Sequence, residues 1–415
     1  MLMELYDIFE QCTGVTTDSR KITEGSLFFA LHGANFDGNA FALQALEQGA
    51  AYAVVDNPKV VEDSRELKER IVVVDNTLVA LQSLAAEHRR RLEIPIIAIA
   101  GSNGKTTTKE LVSRVLSERF EVYSTHGNLN NHIGVPLTLL AMTRDTEFGV
   151  VEMGASAQGE IATLCSIAQP NYGILTNVGY AHLEGFGGIE GVRKGKGELF
   201  DYLENNGGRA FIPMEDVVLC DMAAQRENME VEYYSRSIGD NYKSHLSGDY
   251  NRYNIAAAAK IGCYFGIDSE RIASAIESYK PDNNRSQRVV TPNGNTLIID
   301  CYNANPSSME VAIKNIDDLV SERKLLILGD MLELGEWSKE EHCRILSLAA
   351  EVNNAEIVLV GEHFRNAAHS IGLHTTICLN TDEAAEHLHY THIKDTTVLL
   401  KGSRGIALEK LIDKL

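Results

Sequence analysis

Short apolar runs separated by polar turns follow one another along most of the chain, and their character changes twice. Up to about residue 85, SLFFAL (26–31), AYAVVD (51–56) and RIVVVD (70–75) are strand-like runs bounded by Gly, Asn, Asp or Pro. Phe41, Leu43 and Leu46, with Gly49 as a stop, predict a helix over 39–49. Charged LQSLAAEHRRRLE (81–93) predicts another, leading into a break at Ile94-Pro95.

The middle of the chain opens on IPIIAIA (94–100), an unbroken apolar run of the kind shown by parallel strands buried on both faces. A glycine-rich turn follows, then a helix over 104–119 with Leu111, Val112, Val115 and Leu116 on one side. FGVVEM (148–153) and YGILTNV (172–178) predict further buried strands. NIAAAAKIGCYF and SERIASAIESY, separated by Gly266, predict two helices within 254–279. PDNNRSQ (281–287) is polar and reads as a linker. Beyond it, strands at 296–302, 324–330, 356–361, 375–380 and 396–402 alternate with helices at 306–320, 338–351, 382–389 and 404–415. Such alternation with short loops predicts a doubly wound α/β domain on a mostly parallel sheet. The expected organisation is three α/β domains, 1–85, 86–284 and 285–415.

At 415 residues the chain is too long for one core. Its 44 % hydrophobic and 23 % charged content is that of a soluble globular protein. The net charge of −20 argues against a nucleic-acid or anionic-membrane surface. Seven scattered cysteines without a C-x-x-C pair argue against a disulfide framework or cysteine zinc site and suit a reducing cytosol. The start, MLMELYDIFEQCTGV, lacks the pattern of a signal peptide, and no apolar run approaches a membrane span. A cytoplasmic location and a monomer are expected.

GSNGKTTTKE (101–110) carries the sharpest chemistry. A buried strand, a turn of small residues (Gly101, Ser102, Asn103, Gly104) and a following helix aim backbone N–H groups at a phosphate chain. Lys105 would reach the β- and γ-phosphates, Thr106 would ligate Mg²⁺, and Thr107 continues the turn. Ile99 stands where the full phosphate-loop pattern has its first glycine, so a glycine-rich turn with a solvated lysine is the alternative. Glu152 ends a buried strand, where ligands collect in open α/β sheets, though such a residue is often merely solvated. His182 follows another buried strand and, alone, reads as an ordinary loop histidine. VRKGKGELF crowds Arg193, Lys194 and Lys196, either a solvated cluster or a site where one lysine loses its proton. Asn128, Asn130 and Asn131 read equally as turn formers or as substrate contacts.

GSNGKTT, GNLNNHIGVPLTLL, EMGA, TNVGYAHLEGFG, KGKGEL, YNRYNIAAAA, DCYNANPSSM and LGDMLELGE occur in this order, and the chain resembles the Mur ligase family over almost its whole length. DCYNANPSSM with LGDMLELGE resembles the branch that adds D-alanyl-D-alanine to a UDP-N-acetylmuramoyl-tripeptide in cytoplasmic peptidoglycan precursor synthesis. The resemblance implies an N-terminal UDP-precursor domain, a central P-loop ATPase and a C-terminal Rossmann-like domain. It implies an ATP-dependent amide ligase working through an acyl phosphate, with ATP and Mg²⁺. Lys105, Lys196 and His182 would be catalytic, and Thr106, Glu152, His182 and Lys196, the last as a carbamate, would hold the metal. Asn251, Asn254, Arg285 and Asp300 would contact the nucleotide. Ser19 and Arg20 match the uridine motif in TTDSRKITEGSLFFALHGANFDGNAF, and Asn130 and Asn131 would meet substrate. Asn39 departs from that motif and Tyr250 stands where many members have His, so Asn39 is given no contact. KGSR (401–404) fits a motif at the cleft. The alternatives are another Mur-type or folylpolyglutamate-type ligase, which DCYNANPSSM and LGDMLELGE weigh against, or a nucleotide-binding regulator.

Overall fold

The computed structural model describes residues 2–33, 36–63, 66–246, 248–281 and 284–415. Part of the uridine motif (Ala34, Asn35) and of the linker (Asp282, Asn283) lies outside the described residues.

Three larger sheets, beside a two-stranded pair of His32–Gly33 and Phe36–Asp37, organise the described residues. In the first, Val15–Thr16, Leu27–Phe29, Tyr52–Val55 and Ile71–Val73 lie side by side, all parallel. The second has the spatial order Glu230–Tyr234, Arg209–Pro213, Tyr172–Leu175, Ile96–Ala100, Phe148–Glu152, Val122–Ser124, also all parallel. Its first strand in sequence is therefore interior, and the chain winds outward from it to both edges. The carboxyl end of Ile96–Ala100 is thus a topological switch point, where open α/β sheets leave a crevice. In the third sheet Gln287–Val290 pairs antiparallel with Thr296–Ile299, and Thr397–Lys401, Lys324–Gly329, Ala355–Val360 and Thr376–Cys378 continue in parallel.

The unbroken apolar runs have a simple cause. Successive strand side chains point to opposite faces. Ile96, Ala98 and Ala100 enter one core and Ile97 and Ile99 the other, all fully buried, so no position in the run can be polar. The third sheet repeats this, with Leu326 and Leu328 in one core and Leu325 and Ile327 in the other. Leu27, Phe29 and Val54 from the first sheet share a single cluster with Leu81, Leu84 and Ile96, so the first two domains have a common core.

The expected strands and most expected helices form, and three differences have physical reasons. Residues 404–415 make two short 3-10 segments, broken where Ala407 takes a left-handed φ of 60°. The helices Ile189–Asn205 and Glu362–Ile371 were not legible, the first because it is rich in charge and glycine. The strand Glu230–Tyr234 is an edge strand with exposed positions, so it shows no continuous apolar run. Residue 85 falls within the continuous helix Thr77–Leu92, which starts from an Asn76 cap and ends past Leu92. The helices Leu2–Phe9, Gly134–Leu140 and Glu160–Ala168 all pack on it.

Candidate active site

A cleft of about 1500 Å³ runs between the central and C-terminal domains. On the central side its floor is the turn after Ile96–Ala100. Gly101 has φ 131°, and a Cβ there would sit 2.1 Å from Thr176 Oγ1, so the chain can turn only with glycine. The segment 176–179 braces the turn. Asn177 accepts from the Asn103 N–H at 3.1 Å and donates to the Asn103 carbonyl at 3.0 Å, and Ser102 Oγ bonds both backbone groups of Gly179. The helix Lys105–Leu116 begins at Gly104 with no side-chain cap, which leaves its first N–H groups free for an anion.

Lys105 Nζ donates to the carbonyls of Gly101 and Ser102, at 2.8 and 3.1 Å, and keeps part of its surface toward the cleft. Dense packing around the ammonium lowers its pKa to about 8; Glu152 opposes that shift and Arg285 adds to it. Thr106 and Thr107 are buried in the first helical turn.

Glu152 is 1 % exposed at the end of Phe148–Glu152. Its Oε1 accepts from Asn130 Nδ2 at 2.7 Å, while Oε2 is buried without a hydrogen-bond partner. A buried carboxylate oxygen is costly unless something positive or protic meets it. Asn131 turns its Oδ1 to the N–H groups of Ile133 and Gly134, capping the next helix, and its surface stays exposed. His182 has a left-handed φ of 52° and faces Glu333 of the C-terminal domain, with Nδ1 2.5 Å from Oε2. His182 Nδ1 makes no hydrogen bond, so the two groups are in close polar contact only. Burial lowers the His182 pKa, and the charges of Lys105 and Lys196 add to this against Glu333.

Lys196 is 1 % exposed on the helix Ile189–Asn205. Its Nζ donates to the Ala155 carbonyl at 2.9 Å and lies 4.9 Å from the Phe186 ring centroid. Burial, and secondarily the positive charge of Lys105, lower its pKa to about 7. A large share of it is therefore the neutral amine at physiological pH. Among the described residues no group of three or more His, Cys, Asp or Glu side chains forms a metal cage. Glu152 and His182 supply only two such donors.

On the helix Tyr250–Tyr264, Asn254 accepts from Thr108 Oγ1 at 3.1 Å and donates to buried Asn251 at 2.9 Å, joining this helix to the helix Lys105–Leu116. Tyr250 hydrogen-bonds Ser286 of the linker. Opposite, Lys401 Nζ bonds Asp300 Oδ2 at 2.6 Å, Asp300 Oδ1 accepts from the Ser286 N–H, and Arg285 stacks 3.8 Å over Tyr302. Asn305 caps the helix Pro306–Asp317 and donates to Asn103 Oδ1 at 2.8 Å, so the C-terminal domain touches the phosphate turn directly. The reading of residue types alone did not single out Asn305 or Glu333; the strings DCYNANPSSM and LGDMLELGE, which contain them, were the available signal.

Most expected residues thus meet at one cleft, but Gly101, Thr106, Lys196 and Asn251 do not line its surface, and neither do Ser19 and Arg20. Arg20 is exposed and paired with its neighbour Asp18. Asn39 is structural: buried, it bonds Asp37 and Asp56 at 2.8 Å and accepts from the Asp56 and Asn57 N–H groups.

Family models match in three successive pieces: Mur ligase family, catalytic domain over residues 11–89; Mur ligase middle domain over 99–247; and Mur ligase, glutamate ligase domain over 284–404. The UDP-N-acetylmuramoyl-tripeptide–D-alanyl-D-alanine ligase of Bacillus subtilis is 34 % identical, covering 97 % of this chain and 93 % of its own. That of Escherichia coli is 32 % identical, covering 97 % and 93 %. A crystal structure of MurF from Acinetobacter baumannii superposes with a TM-score of 0.86 at 27 % identity, covering 100 % of this chain and 98 % of its own. With relatives this similar along nearly the entire length, the chain belongs to the Mur ligase family.

Proposed function

We propose that this chain is an ATP-dependent ligase that joins D-alanyl-D-alanine to a UDP-N-acetylmuramoyl-tripeptide in peptidoglycan precursor synthesis. The observation that carries the reading is the cleft, in which an uncapped phosphate turn from one domain faces the Asp300–Lys401 and Asn305 elements of another. The names and full-length similarity of the relatives support the substrate pair.

Forming an amide from a carboxylate needs a leaving group. The tripeptide carboxylate attacks the γ-phosphorus of ATP, giving an acyl phosphate and ADP. The dipeptide amine then attacks the acyl carbon, phosphate leaves, and the amine gives up a proton. Negative charge crowds both steps, so fixed positive groups and aimed N–H donors lower the barriers. A bound triphosphate places anionic oxygens beside Lys105 and so favours its charged form. The free helix N-terminus at Gly104 adds backbone donors.

A divalent cation fits these residues, because Glu152 Oε2 is a buried oxygen without a partner. Thr106, Glu152, His182 and Lys196 would hold it, and when bound it would neutralise phosphate charge. The neutral Lys196 amine adds to carbon dioxide with loss of a proton, and the resulting carbamate adds an oxygen donor where the protein has few. Asn251, Asn254 and Arg285 would face the nucleotide and Asn130 the acyl end, with the uridine end toward Ser19 and Arg20. The seven cysteines, all free, suit a cytoplasmic enzyme.

The test is phosphate release with each substrate omitted in turn, using precursors with lysine or diaminopimelate at the third position. A ligase releases phosphate only with both precursor and dipeptide present. Release indifferent to both would overturn the reading and point to a nucleotide-binding regulator.

A further inference from the structure

Two non-glycine residues with left-handed backbone, His182 at φ 52° and Glu333 at φ 62°, face each other across the domain boundary. Such conformations cost free energy and persist only where the surroundings over-determine them. Here the surroundings do. His342, fully buried, accepts the Met331 N–H on Nε2 at 3.0 Å and gives its Nδ1 proton to the Ser338 carbonyl at 2.7 Å. Ser403 Oγ accepts the Leu332 N–H at 3.0 Å. The residues just before Glu333 are thus fixed to the body of the C-terminal domain. From the other side, Leu183 and Phe186, which follow His182, are buried in the same cluster as Met331 and Leu334. A Cβ on Gly335 would lie 3.1 Å from the Glu184 side chain, so the two segments are in close contact.

We propose that Glu333 is a positioning residue for His182, resting on the reading of His182 as a metal-side ligand. By taking the Nδ1 side of the ring, its carboxylate presents Nε2 to the cation beside Glu152. This follows the general logic by which a carboxylate behind a ligating histidine holds the orientation of its ring. The carboxylate comes from the C-terminal domain and the histidine from the central one. Docking of the third domain therefore completes the surroundings of a cation held by the second.

The test is Mn²⁺ binding to the full chain, followed by electron paramagnetic resonance with the non-hydrolysable β,γ-imido analogue of ATP. Glu333→Gly keeps a residue suited to the left-handed backbone and removes only the carboxylate, so the fold should be retained. The expected result is a 10- to 100-fold weaker Mn²⁺ affinity, in the range seen for such partners, with the melting temperature unchanged or higher. Glu333→Gln, whose amide oxygen can take the same place beside Nδ1, should recover most of that affinity. Wild-type Mn²⁺ affinity in Glu333→Gly would overturn the proposal. So would a loss that Gln fails to restore and that tracks a lower melting temperature, which would make the carboxylate purely structural. A wild-type chain that binds no Mn²⁺ would overturn instead the metal reading beneath it.

Discussion

The two sides of the cleft bury lysine in opposite ways. In the C-terminal domain Lys401 is 1 % exposed and its charge is met by Asp300 at 2.6 Å. In the central domain Lys196 is equally buried yet among the described residues hydrogen-bonds only the Ala155 carbonyl, and Lys105 only the Gly101 and Ser102 carbonyls. A neutralised lysine organises its own domain. A lysine solvated by carbonyls alone pays for desolvation without recovering it from a counter-ion, and waits for an anion or gives up its proton.

The sharpest break of this comparison is Lys105→Ala. It should lower turnover by about 10³-fold or more and weaken ATP binding, since it removes the charge held at the turn. Steady-state kinetics and calorimetry with ATP check it; undiminished turnover would remove the phosphate turn from the chemistry. Next, Lys196→Ala should cost roughly 10²-fold in turnover, with partial rescue by acetate or another short carboxylate standing in for a carbamate oxygen. Carbon-13 NMR with labelled bicarbonate should show a carbamate signal in the wild type that the variant lacks.

On the opposite wall the effect should be on stability. Asp300→Asn leaves Lys401 buried without a counter-ion and should cost about 2–4 kcal/mol, less than for a fully enclosed pair because Asp300 is partly exposed. Denaturant unfolding measures it. The smallest effect carries the opposite sign. In buffer free of carbon dioxide, Lys196→Met should stabilise the protein by roughly 1–3 kcal/mol at pH 7. The folded-state pKa of Lys196, about 7, lies below its ordinary value of 10.5. Between those values the unfolded chain holds more protons than the folded one, so the wild-type penalty shrinks as pH rises. The variant's advantage should therefore be largest at or below pH 7 and fade toward pH 10. An advantage independent of pH would mean that Lys196 is not desolvated in the way its burial implies.

What the sequence disclosed was uneven for physical reasons. The strand–turn–helix at 94–119 was readable because both-faced burial forces an unbroken apolar run and a phosphate turn forces small residues. The alternating elements of the last domain were readable for the same reason. The helix bearing Lys196 was hidden, since Gly191, Gly195 and Gly197 mimic a loop. Two of them are required by close neighbours: a Cβ at 191 would fall 1.8 Å from the Phe186 carbonyl, and one at 195 would fall 2.4 Å from the Phe186 ring. Residues were gathered into the cleft by contacts far apart in sequence, such as Asn130 with Glu152 and Asn103 with Asn305. No local pattern encodes those meetings, although the turn pointed to Asn103, a strand end to Glu152 and a cluster of amides to Asn130.

The helix Thr77–Leu92 carries a practical consequence for anyone dissecting the molecule. Leu81, Leu84 and Ala85 are fully buried and sit in one cluster with side chains from both of the first two sheets. A fragment ending near residue 85 would cut a helix in its middle and strip the cover from both halves of that cluster. Any piece that keeps the first domain's share of that cluster covered must therefore carry the second domain as well.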